Sequence, residues 1–281
     1  MSPMNNRLLV PRKTPGLLDL VPGAAAAYSL RSLSNSYAGP VVTVRRSSDN
    51  AEDSFTASEV ADGTLAAFCG AGDGFVKTWF DQSGNRDASQ SSSAAQPQIV
   101  DSGSLILRDG KPIVRFNGTS HYMEAANVGG SAGHLFATVY DSTGTDIRIT
   151  QAGPSSGNHF FQITSEQASY EVAVFKSDVF ESLTSFPPPK PDQAVLFALR
   201  CSGADYSATV NGAEIVPEVL SGTNSGTWMG FFSGQLNIAS LARVNLARTY
   251  YAGDYYEILI YTSALDAVSR QLIEGNTMWY Y

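Results

Sequence analysis

Charge is scarce in this chain. Asp, Glu, Lys and Arg make up 16% of its 281 residues, against roughly 25% in an ordinary soluble domain. Basic residues are the scarcer sign, 18 against 26 acidic, for a formal charge of −8. A nucleic-acid partner, whose phosphates call for clustered Lys and Arg, is therefore not expected. Histidine and cysteine are rarer still: His121, His134 and His159, and Cys69 and Cys201. There is no Cys-x-x-Cys pair and no His-x-x-x-His spacing, so neither a metal site nor a cofactor is expected. Cysteines so distant in sequence pair only if the fold brings their Cα atoms within about 7 Å, and two unpaired core thiols are the favoured reading. No apolar run reaches the roughly 18 residues of a membrane span. Pro11, Pro15, Asp19 and Pro22 interrupt the only stretch resembling a secretory leader. No Gly-x-Ser-x-Gly elbow occurs, and the "GAGDG" at 70–74 is not followed by a helical pattern, which argues against a serine nucleophile and a phosphate loop. No fixed-period repeat supports a solenoid or propeller.

Glycine (25), tyrosine (13) and phenylalanine (14) are plentiful. Short runs of strand composition recur at 41–46, 74–81, 98–100, 113–116, 122–124, 134–141, 146–150, 159–164, 170–175, 193–201, 205–210, 227–232, 236–241 and 254–261, separated by Asn-Gly, Gly-Gly and Pro-rich turns. Such spacing points to a β-sandwich rather than to alternating βαβ units. Ala24 to Ser34 reads as a short helix with Tyr28, Leu30 and Leu33 inward. One clear helix follows Ser263, a candidate cap. It has Asp266 in its first turn, Leu265, Val268 and Leu272 on one face, and Gly275-Asn276 as its end.

Residues 1–22 differ from the rest. Arg7, Arg12 and Lys13 are unopposed until Asp19, four prolines block regular structure, and Leu8, Leu9, Val10, Leu17 and Leu18 offer apolar anchors. The segment reads as an extended arm that docks on a partner, ahead of one domain spanning 23–281.

Four blocks carry a resemblance: "AAYSLRSLSNSYAGPVVTVRRSSDN", "GFVKTWFDQSGNRDASQSSSAAQPQIV", "GKPIVRFNG" and "YYEILIYTSALDAVSRQLIEGNTMWYY". They resemble the concanavalin A-like jelly roll of the first domain of fungal α-L-arabinofuranosidase B, and the laminin-G-like modules of tailed-bacteriophage virion proteins. The resemblance implies an all-β fold: a concanavalin A-like jelly-roll β-sandwich with a short C-terminal helix and the extended N-terminal arm. It further implies a virion protein on the exterior of a phage capsid or tail (capsid decoration, head fibre or adhesive element), joined through its arm to other virion proteins and associating as a homo-oligomer, a trimer by family habit. No enzyme activity is expected, since the matching blocks avoid the middle of the chain and the adjacent cysteine pair of the fungal domain is missing. The alternatives are a lectin that binds a host-surface glycan, and an arabinofuranosidase-like hydrolase.

Individual residues take roles within that frame. Asp81, Gly84 and Asn85 read as a corner in which short side chains satisfy backbone donors. Arg45, Arg46 and Asp49 could grip an acidic sugar, but the better reading is a buried ion-pair network around Asp49 or Asp81. For a glycan, Asn158, His159, Trp228, Tyr250, Tyr251 and Tyr255 would supply polar readers and stacking faces, unless the aromatics simply fill the core. Glu166, Glu171, Asp178, Glu181 and Glu257 are the carboxylates of the middle and end; none is assigned a catalytic role.

Overall fold

In the computed structural model, the described residues are 14–84, 86–141, 147–153, 159–166, 169–176, 179–186, 193–243 and 246–281. The chain forms two antiparallel layers around one apolar core, as the strand spacing implied. The strand Ala252–Tyr261 organises the first layer. One of its edges pairs with Ala26–Ser29 and Val114–Asn117, the other with Gly133–Asp141. Beyond Gly133–Asp141 the layer continues through Gln193–Cys201, Tyr206–Val210 and Ala213–Ile215. The second layer runs from Val42–Arg46 through Gly74–Trp79, Ala88–Ser89, Met123–Ala125, Leu236–Ile238, Arg148–Ala152, Phe160–Glu166, Ser169–Lys176 and Val179–Phe186 to Glu218–Gly222. Gln98–Asp101 joins the layers by pairing with Gly74–Trp79 and with Val114–Asn117.

Alternation along these strands sorts the side chains. Leu135, Ala137, Val139, Val195, Phe197, Ile258 and Ile260 meet Ile149, Phe161, Ile163, Val172 and Val174 in the core. The opposite face of the first layer is also apolar: Phe136, Leu196, Ala198, Leu259 and Tyr261 lie beneath Leu17, Val21, Leu33 and Ile273. Two helices therefore cover that face, the single turn Leu17–Leu20 and the C-terminal helix Ala267–Tyr280.

Four expectations change. Residues 26–29 form a strand, not part of a helix, because Ala26 to Ser29 are buried on both faces and take their backbone partners from Ala252–Tyr261. The C-terminal helix is capped by Asp266, whose carboxylate accepts from the Ser269 N–H, and not by Ser263. It continues through Gly275, and Val268 and Leu272 face solvent. The buried stripe is Ile273, Glu274 and Thr277, because Thr209 donates to Glu274 and Thr277 to Glu257, anchoring the helix by directional bonds. The third change concerns the arm. Leu17 is buried in the chain's own core and Leu18 packs against the same cluster; the Leu18 N–H donates to the Leu33 carbonyl, and Asp19 accepts from Ser34 and Asn35. These two leucines are thus committed to the body and unavailable to a partner. Arg7, Leu8, Leu9, Val10, Arg12 and Lys13 lie outside the described residues. Fourth, Arg46 pairs with Asp49 at 2.7 Å on the surface, while Arg45 binds Gln96, Asn50 and the Ser93 carbonyl, so the expected buried ion-pair network is absent among the described residues.

The corner at Asp81 is as the sequence implied. Its buried carboxylate accepts the backbone N–H groups of Ala27 (2.7 Å), Ser83 (2.9 Å) and Arg86 (2.8 Å). Gly84 turns the chain at φ +88° with open space around it; Asn85 lies outside the described residues. Cys69 and Cys201 are buried and unpaired.

Replacing Asp81 by Ala strands buried amide donors, each worth about 1–3 kcal/mol when left unmade. A loss of at least ~3 kcal/mol is expected in urea unfolding; a smaller loss than the ~1 kcal/mol of an average substitution would refute the corner's role. Acid should act through His134, which is 1% exposed. Burial, and then the nearby Arg200 and Arg270, push its pKa down to about 4. Between an unfolded value near 6.5 and that folded value, the unfolded chain binds the extra proton, so stability falls as pH drops through this window and is flat above it. From pH 7 to 4.5 the wild type should lose ~2 kcal/mol more than His134→Gln; equal losses would exclude the effect.

Candidate functional site

The outer face of the second layer carries a polar row set by strand register. Thr78, Ser89, Glu124, Asn237, Thr150 and Gln162 are successive cross-strand neighbours. Their sequence neighbours Trp79, Ala88, Met123, Ala125, Leu236, Ile238 and Ile149 point into the core. A separate hairpin, Ser240–Arg243 with Leu246–Tyr250, lies against this face. Thr150 fixes it by donating to the Ser240 carbonyl at 2.9 Å.

That hairpin delivers Arg248 to the middle of the row. Its guanidinium donates to Asn237 Oδ1 (2.7 Å) and Ser240 Oγ (2.9 Å), and forms an ion pair with Glu124 Oε1. It also lies 3.9 Å from the centre of the Tyr122 ring, within cation–π range. Tyr250 flanks Tyr122 at 5.9 Å between ring centres, and Tyr251 lies beneath the Arg148 guanidinium at 3.6 Å. Glu124 and Arg248 keep 26% and 19% of their side-chain surface exposed, so the cluster is anchored yet open to a ligand. Chemically it offers a carboxyl group, a fixed fork of donors and half-buried tyrosine faces. That is a combination suited to sugar hydroxyls and the apolar face of a sugar ring.

Of the residues singled out for a glycan, Tyr250 and Tyr251 fall at this cluster. Trp228 and Tyr255 do not serve as stacking faces: they are 1% and 0% exposed. Trp228 donates from Nε1 to the Gly129 carbonyl, and the Tyr255 hydroxyl accepts the Arg148 N–H. Packing took precedence because both rings fill the space between layers. Trp228 edges a cleft of about 450 Å³ with Thr227, Gly130 and Phe231. His159 is at that end too, against Phe231 and Phe232. Asn158 and Asp178 lie outside the described residues, as does the Glu166 side chain. Glu257 is held by Arg31 at 2.8 Å under the C-terminal helix, Glu181 by Lys176 and Thr227, and Glu171 accepts from Ser169.

Sequence reasoning passed over Glu124, Tyr122 and Arg248. The signal was present for the first: in "YMEA" the apolar Met123 and Ala125 must face inward, which sends Glu124 outward. Arg248 opens the "RTYYAGDYY" stretch, noted only for its tyrosines.

Known proteins share this two-layer antiparallel architecture. The family model for the catalytic part of α-L-arabinofuranosidase B matches residues 19–106. Among solved structures, a mutant GH54 α-L-arabinofuranosidase soaked with 4-nitrophenyl α-L-arabinofuranoside superposes with a TM-score of 0.67 at 15% identity. An arabinofuranosidase complexed with arabinofuranosyl-α-1,2-xylobiose gives 0.65 at 15% identity. Both alignments cover 93% of this chain and 64% of the other, so the chain spans under two thirds of the length of those proteins. No curated protein matches by sequence. The fold is thus shared with these arabinofuranosidases nearly throughout. This corrects the expectation of a protein without enzyme activity. That expectation assumed the likeness avoided the catalytic part, whereas the matched model is the catalytic one and the shared fold includes the middle of the chain.

Arg248→Ala leaves Glu124 without its cation and Asn237, 1% exposed, without its donor. A loss of about 2–3 kcal/mol in urea unfolding is expected, because hydrogen bonds to charged groups contribute about 1.5–3 kcal/mol. Arg248→Lys should recover less than half, since an ammonium cannot reproduce the planar fork; full recovery would show that charge alone matters.

Proposed function

We propose that this protein is a glycoside hydrolase of the α-L-arabinofuranosidase kind, engaging a furanoside at the Tyr122–Arg248–Glu124 cluster. The observation that carries the reading is the agreement of fold with arabinofuranosidases over 93% of the chain, together with the match of a catalytic-domain model to residues 19–106. The cluster adds chemistry to the fold. Glu124 is a carboxyl group held in place by Arg248, a candidate for one of the two carboxyl groups of a two-carboxylate mechanism. Tyr122 and Tyr250 supply a sugar-sized aromatic wall, and Asn237 lies next to the carboxylate in the row.

A second reading, furanoside binding by a lectin-like surface, is favoured by one feature of the same cluster. Among the described residues, the groups that Glu124 meets are an arginine and its polar partners, whereas hydrolysis demands a second carboxyl about 5–9.5 Å away. Docking of the body to a virion through residues 1–13 is a separate proposal resting on the sequence resemblance. Deletion of those residues should leave a folded body that fails to join its particle, and normal incorporation would end that idea.

The deciding assay is release of 4-nitrophenolate from 4-nitrophenyl α-L-arabinofuranoside by the full chain. Turnover is expected, with kcat lowered at least ~100-fold in Glu124→Gln, the scale of losing an acid–base group. Saturable arabinoside binding without release would establish the lectin reading. Neither binding nor release would remove both.

A further inference from the structure

On the opposite side of the molecule, the outer face of the first layer is not wholly covered by its helices. Strand register sets Tyr261, His134, Arg200 and Ser207 side by side, and in the next row Leu259, Phe136, Ala198, Thr209 and Glu214. The C-terminal helix covers the apolar part of both rows and stops short of the rest. A cavity of about 490 Å³ is left between the helix start and the Ile215–Pro217 segment, within the roughly 300–1,000 Å³ typical of small-molecule sites.

Besides His134, three cavity groups can donate to a ligand, Arg200, Arg270 and Ser207, whereas the Thr209 hydroxyl already donates to Glu274. Arg200 and Arg270 line it from the sheet and from the helix, and Ser207 and Thr209 line its floor. Each arginine is only loosely paired, Arg200 with Asp205 at 3.7 Å, and Arg270 with Glu214 at 3.5 Å and Glu274 at 4.0 Å. The outlying carboxylates are exposed, 57% for Asp205 and 81% for Glu214, so solvent screening weakens their hold. His134 is the more telling group. It is 1% exposed, stacks on Phe136, and its Nδ1 accepts the Leu265 N–H at 3.1 Å. That bond fixes the tautomer and puts the proton on Nε2, for which no acceptor is found among the described residues. Nε2 borders the cavity, so its N–H is free to donate to solvent or to a ligand's oxygen. The first turn of the 14-residue helix contributes Ala267 to the same wall, adding the positive end of a helix dipole. Ile215, Val216 and Leu265 make the remaining surface apolar.

The geometry points to a binding site for a carboxylated sugar, its carboxylate held by Arg200, Arg270 and His134 Nε2 and its ring resting on the apolar wall. Two arginines face one lining glutamate, with Asp205 and Glu274 at their outer reach, so the site holds too little positive charge for a phosphate dianion and suits at most a monoanion. The site is distinct from the Glu124 cluster, which lies on the other layer, and holds whether or not that cluster hydrolyses glycosides.

Calorimetric titration of the full chain with galacturonate, galactose and inorganic phosphate tests this, with histidine proton resonances followed in parallel. Galacturonate should bind saturably and galactose at least about tenfold more weakly, the equivalent of one lost charged contact. The His134 resonance should shift, and its titration midpoint should rise, because an added anion favours the imidazolium against the field of Arg200 and Arg270, with Glu214, Glu274, Asp205 and Asp266 unchanged. Arg200→Gln, a half-exposed position, should lower galacturonate affinity about tenfold or more, and Arg200→Lys should retain most of it. Equal affinity for galactose, stronger binding of phosphate, or binding indifferent to Arg200→Gln with a still His134 resonance would each overturn the assignment.

Discussion

One carboxylate joins the two layers. Asp81 follows the strand Gly74–Trp79 of the second layer and accepts the Ala27 N–H from the first, then two more N–H groups from its own turn. Gln82 extends the seam: its backbone N–H donates to the Ala27 carbonyl, and its amide accepts from Leu33 and donates to the Ser29 and Arg31 carbonyls. Arg86 closes it by donating to the Ala25 and Asn127 carbonyls. Beyond the first strand, the Gln82 side chain takes the place of a ladder by bonding Arg31 and Leu33. Together with the strand Gln98–Asp101, which pairs with both layers, these three side chains fix the first layer over the second.

That placement decides where polar chemistry can sit. With the interior filled by aliphatic and aromatic side chains, functional groups are left to the two outer faces and the ends. On the second layer the outer face stays polar because a narrow hairpin, not a helix, lies against it, and Arg248 and the row including Glu124 meet there. On the first layer the outer face is apolar where helices cover it and cationic where they do not. The same alternation thus yields a sugar-sized aromatic wall on one side and a donor-lined cavity on the other.

Much of the architecture was legible in the chain. The Gly and Asn-Gly punctuation between short β-branched runs identified the sandwich, and "FDQSGN" disclosed its corner because Asp and Ser there have no other work. What sequence could not convey was side. The helix after Ser263 shows apolar Leu265, Val268 and Leu272 at helical spacing, yet Glu274 and Thr277 face inward, since their bonding partners Thr209 and Glu257 come from distant strands. Trp228 and Tyr255 looked available for the same reason: a tyrosine or tryptophan in a strand has a face only once its register is known. Leu17 was set apart with the arm because its cover, Tyr261 and Ile273, lies more than two hundred residues away. Glu124 and Arg248 come together across 124 residues, and no local pattern reports it.

The outward side of the C-terminal helix has an optical consequence. Trp79 and Trp228 are sealed in the interior, whereas Trp279 stands 86% exposed. Of the three indoles in the protein, a water-borne quencher meets one, and the light it extinguishes comes from the tail alone. The remaining emission belongs to the sandwich and dims only when the layers part. The chain thereby carries separate lamps for its last helix and for its core.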